Sequence, residues 1–135
     1  MEKSIKESEL MTISSLTLAY LGDTVFESYI REYLITENIN RKVNDYHKTA
    51  VKYVKAPSQA KIIREIESEL TEEEVRVYKR GRNQKSNTSA KNANIIDYRC
   101  ATGFEALIGY LYISKDTERL EYIIKKGIEI LEKEM

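Results

Sequence analysis

Two carboxylates in this 135-residue chain stand where helical periodicity expects hydrocarbon. In "LAYLGDTVFE", residues 18–27, a glycine and an aspartate interrupt an apolar helical run. At about 100° per residue, the nearest angular neighbours of Asp23 are Leu16, Ala19, Phe26, Ile30 and Leu34, with Glu27 one turn on. In "DYRCATGFEALIGYLYIS", residues 97–114, Glu105 is ringed in the same way by Tyr98, Ala101, Ile108, Gly109 and Tyr112, with Thr102 near. A buried carboxylate costs several kcal/mol unless it is paired or bound to a metal. One explanation is structural, with Asp23 accepting helix N-terminal amides or pairing with a lysine. The other is chemical. Hard oxygen ligands suit Mg²⁺, with Mn²⁺ as a substitute, and carboxylate-held Mg²⁺ beside a basic surface is an arrangement for phosphate chemistry.

The elements that must position these groups are helical. Five glycines and one proline leave little punctuation for hairpins, and alternating runs are nearly absent. The spacing predicts a long helix from Ser14 or Ser15 to Ile35, a second from Asn44 to Val54, and a third from Pro57 to Glu69. Thr71 and Glu74 form a capping box for a helix ending near Arg80-Gly81. The polar stretch 83–94 reads as a loop. A second long helix spans Ile95 to Ser114, and Asp116 or Thr117 caps a last one reaching Lys133. The first long helix is apolar almost all round, as a central, buried helix is. Small residues at 101, 103, 106 and 109, and Gly22 opposite, would let the two long helices approach closely. The expected architecture is one all-α domain over 1–135, a helical bundle with two long central helices.

Composition narrows the setting. One cysteine, Cys100, allows no internal disulfide and fits a reducing cytoplasm; its spacing makes it a core residue. No apolar run approaches the ~20 residues that span a bilayer, and "MEKSIKESEL" lacks the apolar centre of a signal peptide. The 22 basic and 22 acidic residues cancel, but they are sorted along the chain. Residues 41–64 carry seven Lys or Arg against one acid, 65–74 carry six Glu and no base, and 79–96 carry five bases and no acid. Such sorting gives a neutral protein a basic face, or else merely solvated helix faces. His47, the only histidine, falls in the basic second helix as a surface or phosphate-contacting residue.

"LAYLGDTVFE" resembles the signature helix of the ribonuclease III family, and "ATGFEALIGYLYIS" resembles its second acidic helix. The order, the separation and the intervening "NDYHKTAVKYVKAPSQAKII" agree as well, and the likeness runs from about Leu16 to Leu131. With "KRGRNQKS" in the middle and no room before Met135 for a double-stranded-RNA-binding domain, the chain resembles the Mini-III branch, a free-standing ribonuclease III catalytic domain. The resemblance implies an endoribonuclease fold in which the signature aspartate falls on Asp23 and the C-terminal acidic glutamate on Glu105, together binding Mg²⁺. The family's other acidic positions fall on Leu16, Ala19 and Thr102, so its larger carboxylate cluster does not carry over, and Glu27 occupies no position the family uses. It further implies hydrolysis of double-stranded RNA to 5′-phosphate and 3′-hydroxyl ends by a homodimer. The implied substrate is the large-subunit (23S) ribosomal RNA precursor in a bacterial cytoplasm, with a large-subunit ribosomal protein as accessory partner. Within this likeness, Lys79, Arg80, Arg82, Asn83, Lys85 and Ser86 read as a clamp on RNA phosphates; otherwise they are an exposed helix C-terminus complementing its dipole. Two rivals stay open: a catalytically inactive RNA-binding or ribosome-associated protein on the same fold, and a helical protein-interaction module.

Overall fold

A computed structural model describes residues 4–84 and 94–135. Ser14 starts the first long helix, its Oγ accepting from Thr17 N at 3.1 Å, and α2 runs Ser15–Glu37. A short α1, Glu7–Leu10, precedes it. Helix α3, Val43–Val54, ends at an extended Lys55. Lys55 is the N-cap of α4, Ala56–Ile66, and Pro57 fits the first turn of that helix, where its missing N–H costs nothing. The expected continuation to Glu69 tightens into a 3₁₀ turn, Glu67–Glu69. Thr71 and Glu74 then form the reciprocal capping box, with bonds of 2.9 and 3.1 Å, that opens α5, Glu72–Arg82. Asn94 Oδ1 accepts from Ile96 N at 2.9 Å and begins α6, Ile95–Ile113. Lys115, at φ 64°, makes the left-handed turn into α7, Thr117–Glu132. No strand occurs among the described residues, and no helix is long and apolar enough to cross a membrane.

Helix α6 is the hub. Its apolar periphery, with Phe104, Ala106, Leu107 and Ile108 all fully buried, is covered by α2, α4 and α5, with α7 alongside. Phe26 of α2 meets Phe104 edge-on at 5.1 Å. The α2–α6 crossing is far tighter than ordinary helix packing, because glycines replace the usual side chains between the backbones. A Cβ built on Gly22 would lie 1.7 Å from the Glu105 carbonyl oxygen, and one on Gly109 would lie 2.0 Å from that of Leu18. The small stripe on α6 also receives α5: a Cβ on Gly103 would meet the Tyr78 ring and carbonyl at 2.7 Å.

Polar pins fix the outer helices. Arg119 of α7 forks onto buried Glu74, Nε to Oε2 at 2.8 Å and Nη2 to Oε1 at 2.9 Å, and Nη2 also donates to the Glu69 carbonyl. Burial pushes the Glu74 carboxyl up, but the Arg119 guanidinium and the Thr71 amide outweigh it and hold it below the usual carboxylate range. Glu132 accepts from Tyr33 and Tyr53 at 2.6 and 2.8 Å. Cys100 is buried as its spacing predicts.

The glycine crossing carries a direct expectation. Gly22→Ala sets a methyl group against backbone, which cannot rotate away, so the helices must separate. Overpacking costs about 1–3 kcal/mol, and at the upper end of that range the melting temperature should fall by roughly 10 °C. Gly127→Ala meets only the flexible Ile62 side chain, at 3.0 Å, and should lose much less. Equal losses in the two variants, followed by circular dichroism, would refute the backbone-contact account.

Candidate metal centre and nucleic-acid interface

The glycine crossing assembles the site. Gly22 sits on the backbone of Glu105, so the residue after it, Asp23, is delivered to the same junction. The two carboxylates interact electrostatically there. Burial, and then the negative charge of Asp23, push the Glu105 carboxyl up to about 8, against a hydrogen bond from Gln59 that pulls it down. Asp23 itself is exposed, opening onto a groove along α2 lined by Thr24, Glu27, Ser28 and Arg31. This corrects the expectation that Asp23 is enclosed in an apolar stripe. Of the stripe around it, Ala19, Phe26, Ile30 and Leu34 are buried, whereas Leu16 is 45% exposed. The stripe faces the interior as expected, and Asp23 lies at its margin, where the cover ends.

The donor set suits a hard cation. Two carboxylates that repel one another, one half-buried, gain from a shared positive charge. Among the described residues, no group of three or more His, Cys, Asp or Glu could hold a metal. Mg²⁺ accepts such a sparse set, since it keeps several waters and is commonly held by one or two carboxylates plus substrate phosphates. At the positions where the resembled family carries further acids, Ala19 is packed beside Leu18 and Ala106, and Thr102 Oγ1 donates to the Tyr98 carbonyl at 3.1 Å. Glu27 is ion-paired with Arg31 one turn on.

Sequence reasoning missed Gln59. It is 2% exposed, and its Nε2 donates to the Val54 carbonyl at 2.7 Å and to Glu105 Oε2 at 3.2 Å. Its Oε1 is buried without a partner among the described residues. Leaving such an atom unsatisfied costs about 1–3 kcal/mol. The signal was available: at helical spacing, Gln59 shares a stripe with Ile62, Ile63 and Ile66, and a lone amide on a core face calls for a partner.

The basic segment is seated against the same turn of α6. A Cβ on Gly81 would lie 2.9 Å from Ala106 Cβ and 3.0 Å from Gly103 Cα, so the C-terminal end of α5 rides directly on the residues flanking Glu105. Of the six residues expected to face RNA, Lys79 and Asn83 are exposed and Arg82 is half-buried, its guanidinium 5.5 Å over the Tyr78 ring. Arg80 is exposed too, but its guanidinium serves the fold. Its Nε donates to Ser15 Oγ at 2.8 Å and Nη2 to the Ile13 carbonyl at 2.5 Å, tying α5 to the start of α2. Lys85 and Ser86 lie outside the described residues. His47 is exposed, in a groove between α2 and α3 away from the carboxylates.

Known proteins match this chain over most of its length. The ribonuclease III domain family matches residues 16–116. A Mini-ribonuclease 3 from Clostridium tetani is 53% identical over 126 residues, covering 93% of this chain and 83% of its own. The Mini-ribonuclease 3 of Thermoanaerobacter sp. is 44% identical, covering 98% and 99%, and that of Streptococcus pneumoniae is 45% identical, covering 89% and 94%. The crystal structure of a Fusobacterium nucleatum protein superposes with a TM-score of 0.78 at 31% identity, covering 87% of this chain and 93% of that one.

Charge at Glu105 should be visible in stability. Its folded pKa of about 8 lies above the ordinary 4.5, so the folded state binds the extra proton. The associated stability is fully present below about 4.5 and lost as pH rises through about 8. Glu105→Gln stays neutral throughout. In metal-free protein its melting temperature should gain on wild type as pH rises from 5 to 9, and Mg²⁺ at pH 8–9 should raise wild type more than the variant. Parallel melting curves across that range would remove the buried charge from the account.

Proposed function

The chain belongs to the ribonuclease III family and is an endoribonuclease, and from that premise we propose that it cleaves double-stranded RNA in a Mg²⁺-dependent reaction carried by Asp23 and Glu105. One observation carries the proposal: a side-chain-free helix crossing joins these two carboxylates beside the basic end of α5. Asp23 and Glu105 would hold the cation, with Mn²⁺ as a substitute. When bound, it lowers the pKa of water and neutralises charge developing on the phosphate. The protein's own part is positioning. Gly22 sets the separation of the carboxylates, Glu105 supplies charge from a partly desolvated position, and exposed Asp23 leaves the groove side open to a phosphate.

Duplex RNA would lie along the basic surface through backbone contacts, the usual mode for A-form helices, with Lys79, Arg82, Asn83, Lys85 and Ser86 as its partners. We further propose a homodimer. Leu16, Tyr20 and Ile35 of α2 are 45%, 82% and 48% exposed; large apolar side chains left exposed along one helix mark an association surface. A two-fold pair would set one site against each strand. The proposed substrate is the large-subunit (23S) ribosomal RNA precursor in a bacterial cytoplasm, with a large-subunit ribosomal protein as accessory partner. This rests on the likeness to the Mini-III branch.

Asp23→Asn keeps shape and loses charge. Cleavage of duplex RNA by the dimer, its mass checked by light scattering, should fall at least ~10³-fold, about 4 kcal/mol of barrier, with duplex binding and melting temperature near wild type. Near-normal Mg²⁺-dependent cleavage by this variant would take Asp23 out of the mechanism. Duplex binding without cleavage by wild type would favour an inactive RNA-binding protein on the same fold. Charge removal at Lys79, Arg82 and Lys85 should weaken binding and flatten its salt dependence, by a slope of about 0.7–0.9 per lost phosphate contact. Arg80 is left intact because its guanidinium serves the fold. An unchanged slope would take this segment off the RNA surface.

A further inference from the structure

We propose that Gln59 is a positioning residue for the metal centre, fixing the Glu105 carboxylate in the orientation that meets Asp23 and the divalent cation. The inference rests on the metal-dependent function proposed above. Gln59 lies on the core face of α4 between fully buried Ala60, Ile62 and Ile63, a place where a hydrocarbon side chain would pack without polar cost. It retains instead an amide whose Oε1 has no partner among the described residues. Stability alone does not account for that choice, and polar groups that break core rules concentrate where function needs them.

Its two donated bonds explain the choice. The bond to the Val54 carbonyl, at 2.7 Å, settles which end of the amide is nitrogen, since Oε1 in that place would face another oxygen. The amide is therefore locked before Glu105 is considered. Its second hydrogen reaches Glu105 Oε2 at 3.2 Å and takes one of that carboxylate's two oxygens. A locked donor on one oxygen fixes the rotation of the carboxylate plane, which an unrestrained glutamate would have to give up on binding metal. Partners of this kind orient metal ligands, and their removal typically costs 10–100-fold in metal affinity.

A second contact at the same helix junction provides the control. Ser58 Oγ donates to the Lys52 carbonyl at 2.6 Å, joining α4 to α3 as Gln59 does, but without touching Glu105. The experiment compares full-length wild type, Gln59→Met, Gln59→Leu and Ser58→Ala by Mn²⁺ titration under electron paramagnetic resonance, half-saturating Mg²⁺ for duplex cleavage, and melting temperature. For either Gln59 variant we expect Mn²⁺ affinity to fall about tenfold and half-saturating Mg²⁺ to rise by a similar factor, with a melting temperature no lower than wild type. Ser58→Ala should do the reverse, melting lower with wild-type metal dependence. Folded Gln59 variants with wild-type Mn²⁺ affinity and Mg²⁺ requirement would overturn the inference, as would a metal defect that merely tracks lost stability in both variants. Wild-type Mn²⁺ binding that Asp23→Asn leaves untouched would instead overturn the metal function itself.

Discussion

Everything in this molecule that bears on chemistry depends on two helices crossing with no side chain between them. Helix packing ordinarily keeps axes about 8–10 Å apart because side chains fill the gap. Here Gly22 and Gly109 bring the backbones of α2 and α6 into direct contact near Leu18 and Glu105. The first consequence is geometric: Asp23 directly follows the contact residue Gly22, so its carboxylate cannot drift from the junction that places it. The second is that rotation of either helix is blocked by backbone and not by a deformable side chain. The proposed site, with only two carboxylates, would gain most from that rigidity, having no third to correct an error.

The electrostatics follow from the same contact. Asp23 and Glu105 share a junction but not an environment, one opening to solvent and the other sheltered beside Gln59. The sheltered partner therefore absorbs the mutual repulsion, and Glu105 is the group whose proton affinity rises. Its unfavourable charge is a local loss of stability held in place by packing elsewhere, above all the Phe26–Phe104 contact and the Glu74–Arg119 fork. Strain of this kind is tolerated at sites because the surrounding core over-determines the position.

Much of this was legible in the residues. The glycine and small-residue spacing announced the close crossing, the capping box at Thr71–Glu74 announced α5, and two acids on opposed apolar helices announced their meeting. Three features were not legible, for different reasons. Asp23 is exposed although its stripe neighbours Ala19, Phe26, Ile30 and Leu34 are buried, and periodicity alone does not say where along a stripe the cover stops. Arg80 belongs to a basic run, yet its guanidinium is claimed by Ser15 and Ile13, some 65 residues away in sequence; only the tertiary fold reveals that. Short α1 has too few residues to show a period. Gln59 was readable, since a lone amide on an isoleucine stripe is a local inconsistency, but the identity of its partner required the fold.

Gly81 has a consequence of another kind. Because the end of α5 touches α6 through glycine on both sides, with Gly103 opposite, the basic last turn of α5, Lys79 to Arg82, and Glu105 are set against each other by backbone contact. Distance from the grip on a strand to the bond that is cut would then be a property of backbone, as in a ruler with fixed marks. Longer or shorter basic side chains would change how firmly a duplex is held, while leaving the register of the cut where the helices put it.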